Sequence, residues 1–101
     1  MKILGYDYAL LEESDDDDNL GRCLTTKLTI RISPNLPEQQ KQSTVLHEIL
    51  EALNWHLQLG LGIDNKVIMP LEASLFQVLT DAGVDLSPLT AELLKHRTRK
   101  Q

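Results

Sequence analysis

The sequence predicts a small α+β fold: an N-terminal antiparallel β-hairpin, a long helix, a second helix and a short C-terminal helix. Three observations carry this expectation. Residues 24–32 alternate, with Leu24, Thr26, Leu28, Ile30 and Ile32 on one face and Thr25, Lys27, Thr29 and Arg31 on the other, the period of a half-buried strand. From Pro37 to about Leu59 the apolar residues recur at helical spacing, until Gly60 and Gly62 interrupt it. A chain of 101 residues, 42% hydrophobic and 25% charged, is one domain, 1–101, too apolar for wholesale disorder and too short for two cores.

Each element has its own signal. Residues 2–11 alternate less cleanly, with Leu4, Tyr6, Tyr8 and Leu10 sharing a face, and pairing them with residues 24–32 through the acidic loop 12–23 gives the shortest topology. That loop holds Asp15, Asp16, Asp17 and Asp18. Calcium loops space their acids at alternate positions around a glycine, so four adjacent carboxylates read as a solvated loop tip. Ser33-Pro34-Asn35-Leu36-Pro37 is a turn with Pro37 at the first helical position. A second helix is expected from about Lys66 to Asp81, ended by Gly83. A third is expected over about 88–97, capped by Ser87 and followed by the basic tail that contains His96.

Composition excludes several function classes. With 15 acidic against 10 basic residues, a net charge of −5, the chain is not expected to bind nucleic acid, where affinity rests on neutralising phosphates. No apolar run approaches the roughly 18 residues of a membrane span, and the opening Met1-Lys2-Ile3-Leu4-Gly5 meets charge and glycine too early for a signal peptide. Cys23 is the sole cysteine, which rules out an intrachain disulfide and a cysteine-based zinc cluster and points to the cytoplasm.

The chemistry concentrates on the first helix. At about 100° per residue, Val45, Leu46, Ile49, Ala52 and Leu53 form a core face. Gln40, Thr44, His47, Glu51, Asn54 and Gln58 form a polar stripe opposite. His47 and Glu51 stand one turn apart and reach a common point; Glu48 lies beside the stripe, with Trp55 near it in angle. Such a stripe is also simply what the wet side of an amphipathic helix looks like. His56 points away from the stripe and reads as a core-edge or surface residue.

The second helix adds a carboxylate in an expensive place. Ile68, Leu75, Phe76 and Leu79 all lie within about 60° of Glu72, while Ser74, Gln77 and Asp81 lie opposite. An ionised Glu72 at the centre of an apolar face needs an answer. That answer is a metal, a protonated His47, Lys66 or another base, or a raised pKa that keeps the acid neutral. If it meets the first helix, His47, Glu51 and Glu72 offer one nitrogen and two carboxylate oxygens, an open cation site.

Thr44-Val45-Leu46-His47-Glu48-Ile49-Leu50-Glu51-Ala52-Leu53-Asn54, following a strand, resembles the active-site helix of zincin metallopeptidases. The likeness is to small phage and prophage relatives of the ImmA/IrrE peptidases, whose helix reads T-L-L-H-E-I-x-H-A. Leu71-Glu72-Ala73-Ser74-Leu75-Phe76-Gln77-Val78-Leu79-Thr80-Asp81 is similar to the helix that follows in that family. The resemblance covers about residues 24–83 and implies a minimal zincin-like domain. It implies His47 as first metal ligand, Glu48 as general base and Glu72 as the carboxylate ligand from the next helix. Glu51 stands where the family has its second histidine. The implied cofactor is Zn2+. A carboxylate at position 51 adds negative charge, which weakens the pull of the ion on its water and favours the harder Mn2+ or Mg2+.

The expected function is therefore a metal-dependent peptidase-like protein of phage or mobile-element origin, with Asn54, Trp55 and Thr44 as surrounding candidates and residues 24–32 as the strand that pairs with an extended peptide or protein partner. The alternative is a catalytically inactive zincin-fold binding module acting through its edge strand or acidic surface. A third reading is a structural protein in which a base answers Glu72.

Overall fold

The computed structural model describes residues 1–14, 19–62 and 66–95. Its elements run β1 (Lys2–Ile3), β2 (Tyr6–Asp7), β3 (Ala9–Glu12), β4 (Gly21–Leu24), β5 (Thr29–Ile32), α1 (Glu38–Leu57), α2 (Ile68–Asp81) and β6 (Leu94–Lys95). The protein is a small α+β fold with an N-terminal antiparallel strand pair and two helices.

That pair is β1 with β2, closed by Leu4 and Gly5 at φ 53° and 84°, the doubly positive φ of a type I′ turn. The expected hairpin between residues 2–11 and 24–32 does not form. Instead β3 and β5 pair in parallel, Ala9 opposite Thr29 and Glu12 opposite Ile32. The cause lies within the expected strand 24–32. Residues Thr25–Lys27 make a 3-10 turn, Leu28 enters the left-handed region at φ 49° and its N–H returns to the Thr25 carbonyl. The chain reverses there, so β4 pairs antiparallel with β5, Gly21 opposite Ile32 and Leu24 opposite Thr29. With one edge of β5 taken by β4, β3 occupies the other. No glycine, proline or asparagine marks this turn, and the alternation runs straight across it.

The C-terminal helix expected over 88–97 is also replaced. Ser87–Leu89 form a single 3-10 turn, and β6 joins β3 in parallel, Leu11 opposite Leu94. The free edge of β3 carried backbone groups that needed partners, and Leu89 and Leu93 pack against the core; tertiary pairing outweighs local helix preference. Residues 96 and 97 of that expectation, His96 and the basic tail, and the Asp15–Asp18 run lie outside the described residues. The sheet order is β4-β5-β3-β6.

The core gathers Ile3, Tyr8, Leu10, Ile30, Ile32, Val45 and Ala52, with Ile49 and Leu53 packed against it. The apolar face read for α1 is thus the one that covers the sheet. Lys41 reaches the buried Glu12 carboxylate at 3.0 Å, tying the start of α1 to the end of β3. Pro37 sits one residue before the helix, as its N-cap, and Gln58, at φ 51°, ends it two residues before Gly60. α2 ends as expected, with Gly83 at φ 81° and the Val84 N–H returned to the Leu79 carbonyl. Ile68 and Glu72 are buried and Ser74, Gln77 and Asp81 exposed, so α2 packs by the face its periodicity indicates.

Ile30 is fully buried between sheet and helix. Ile30→Ala is expected to destabilise the fold by about 2–5 kcal/mol, read as a lower urea midpoint at unchanged slope; an unchanged midpoint would contradict this packing.

Candidate functional site

A cleft of about 460 Å³ lies where β4 meets α1 and the first turns of α2. His47, Glu48, Glu51 and Glu72 all line it, with Ser43 and Thr44 on the same wall. α1 supplies all of these but Glu72, because positions 43, 47 and 51 recur at one turn and 44 and 48 form the adjacent row.

The imidazole of His47 is the centre of the arrangement. Its Nε2–H donates to Glu51 Oε2 at 2.9 Å, and its Nδ1 lies 3.8 Å from Glu72 Oε1. The Ser43 hydroxyl donates to the other oxygen of Glu72 at 2.5 Å. Donor atoms of His47, Glu48 and Glu51 lie within 4.8 Å of one another. Of the three residues anticipated as ligands, His47 faces Glu51 with one ring nitrogen and Glu72 with the other, so the ring lies between the two carboxylates and the three do not turn to one point.

Among the described residues Glu48 is the most deeply placed acid, 3% exposed, and its Oε1 is buried without a hydrogen-bond partner there. Burial pushes its pKa up to about 8; the Glu51 charge adds to the shift, and the His47 and Arg22 charges pull against it. The His47 pKa is raised, first by the bond to Glu51 and then by the three nearby carboxylates, against burial that lowers it. Burial also pushes Cys23, on β4, up to about 12, with help from the Glu48 and Glu51 charges, so its thiol is a poor nucleophile here.

Gly21 explains the depth of Glu48. A Cβ built there would stand 2.6 Å from Thr44 Cγ2 and 2.9 Å from Glu48 Oε2. The β4 backbone therefore rests directly on α1, as only glycine allows. Neither Gly21 nor Ser43 figured among the residues expected at the site. Ser43 stands one turn before His47 on the same face, and Gly21 opens the strand beside Arg22; these were the available signals.

The other candidates fall elsewhere. Thr44 lines the cleft, but its hydroxyl donates to the Gln40 carbonyl at 2.7 Å. The Asn54 side chain accepts from the Leu61 N–H at 3.1 Å and so fastens the turn after α1. Trp55 is 57% exposed and, with Asn54, borders a separate depression near Gly60. Both lie too far along α1 to reach the cleft. His56 is half-buried, stacked on Tyr6 at 4.3 Å and 2.7 Å from the Tyr8 hydroxyl, a core-edge residue as expected.

The donor types of His47, Glu48 and Glu51, whose atoms lie within 4.8 Å of one another, are those a divalent cation takes, while Glu72 approaches the other ring nitrogen. One imidazole and two carboxylates on adjacent turns form a mixed nitrogen and oxygen donor set, and the unpartnered Glu48 Oε1 is an acceptor aimed at no protein donor. No family model, curated protein or solved structure matches the chain, so functional assignment rests on its own residues.

Two expectations follow. Glu48 and His47 both hold a proton more tightly folded than unfolded, so their stabilising contribution is complete at low pH and is lost as pH rises. For Glu48 the window runs from its ordinary 4.5 to about 8. In chelator-treated protein, the stability of wild type minus that of Glu48→Gln should fall across this window, by up to about 1.4 kcal/mol per pH unit. Urea unfolding at several pH values reads it, and a flat or rising difference would contradict the burial of Glu48. Separately, Gly21→Ala should cost about 1–3 kcal/mol by overpacking, and a neutral effect would mean that β4 does not rest on α1.

Proposed function

We propose that this protein is a metal-dependent, zincin-like peptidase domain in which His47, Glu51 and Glu72 hold the cation and Glu48 is the general base. The observation that carries the reading is the His47–Glu48–Glu51 cluster, faced by a buried Glu72 from the second helix. The likeness of α1 and α2 to the two helices of phage and prophage ImmA/IrrE-type peptidases supports it and suggests a mobile-element origin. A cytoplasmic setting accords with the single cysteine.

A bound Zn2+, or the harder Mn2+ or Mg2+ that Glu51 favours, would polarise the scissile carbonyl and acidify a water. The residues do the rest. Glu48 lies between β4 and α1 and takes the proton of the attacking water. A cation held nearby would lower its raised pKa and so favour the ionised form a base needs. Within the expected strand 24–32, β5 has no edge to offer a peptide, because it is paired on both sides. That role passes to β4, at the edge of the sheet and along the cleft, where an extended chain can add as a further strand.

One observation favours a second reading. His47 faces Glu51 and Glu72 with its two ring nitrogens, and its pKa is raised, first by the bond to Glu51. A catalytically inactive binding module with the same fold would need nothing more.

Metal content after purification without chelator, read by mass spectrometry, separates the two. The proposal predicts one equivalent in the wild type, loss of metal in His47→Ala, and retained metal without peptide cleavage in Glu48→Gln. A wild type without stoichiometric metal would overturn it in favour of the binding module. Metal without cleavage of any peptide in a random library would overturn the peptidase.

A further inference from the structure

The two oxygens of Glu72 do not have equivalent surroundings. Oε2 accepts from the Ser43 hydroxyl at 2.5 Å, while Oε1 faces His47 Nδ1 at 3.8 Å. Ser43 and His47 stand one turn apart on α1, so one rigid helix sets both contacts, and α2 delivers the carboxylate between them. The buried Ile68, one turn before Glu72, seats that part of α2. Thr44 offers no substitute for Ser43, since its hydroxyl is committed to the Gln40 carbonyl. Among the described residues, the side-chain hydrogen bond to Glu72 comes from Ser43.

We infer that Ser43 is a positioning residue that occupies one oxygen of Glu72, so that this carboxylate meets a divalent cation at His47 through its other oxygen alone. The inference rests on the metal reading above and deepens it. A carboxylate bound through one oxygen leaves a coordination position for water or a substrate carbonyl, the mark of catalytic rather than closed sites. A carboxylate free to pivot binds through both oxygens, the habit of larger cations such as calcium. Ser43 thereby holds the site open and favours a small ion. The hydroxyl has a single proton to donate, and directing it to Oε2 is what makes the two oxygens unlike.

The test uses the full chain, stripped by chelator and titrated with Zn2+ in a calorimeter, with the visible absorption of Co2+-loaded samples recorded beside it. Wild type should bind one equivalent and give the intense cobalt bands of low coordination number. Ser43→Ala should bind about 10–100-fold more weakly, with weaker cobalt bands as Glu72 takes up a second bond. Ser43→Thr, which keeps the hydroxyl, should restore both readouts. In a Glu72→Gln background, Ser43→Ala should cost little further affinity. If Ser43→Ala does not fold by circular dichroism, Ser43→Cys removes the strong donor at nearly constant size. Wild-type affinity and an unchanged cobalt spectrum in the serine variant would overturn the inference while leaving the metal reading in place. Absence of zinc binding by the wild type would overturn both.

Discussion

A carboxylate taken out of water needs a proton, a donor or a cation, and this fold brings two such groups, Glu48 and Glu72, together with the partly exposed Glu51, around one imidazole. Glu51 and Glu72 flank His47, and Glu48 lies beneath, against the backbone of β4. Without an ion both the ring and Glu48 hold a proton more tightly than usual, His47 chiefly through its bond to Glu51 and Glu48 chiefly through burial. A divalent cation would meet the same need with two positive charges at once and would leave Glu48 free to act as a base. Charge balance is thus the constraint through which fold and chemistry are linked.

The rest of the molecule is arranged to keep that constraint. The core face of α1 is fixed on the sheet by Val45 and Ala52, which leaves the row of residues 43, 47 and 51 turned to the cleft. The turn at Thr25–Lys27 folds β4 back along β5, and Gly21 lets it lie on the helix closely enough to desolvate Glu48. α2 adds a carboxylate from a second rigid element. None of the described helices is long and apolar enough to cross a membrane.

Much of this was legible in the residues because helical periodicity is local. The faces of α1 and α2, the inward turn of Glu72 and the stop at Gly83 all follow from spacing. Strand pairing was not legible. The pattern Leu24, Thr26, Leu28, Ile30, Ile32 is the same whether the chain runs straight or doubles back, and Leu28 adopts a left-handed conformation that its identity does not announce. β6 forms because β3 offers an open edge, a fact of tertiary structure that no window of ten residues contains. At the site, residue types indicated the acids and the imidazole, whereas Ser43 and Gly21 matter through distances of 2.5 Å and 2.6 Å that only the assembled helix, helix and strand create.

The most direct measurement is anomalous X-ray diffraction at the zinc edge from crystals grown with Zn2+. The account predicts a single strong peak in the cleft beside His47, within bonding distance of Glu51 and a Glu72 oxygen. A cleft with no anomalous density, His47 still hydrogen-bonded to Glu51, would contradict it.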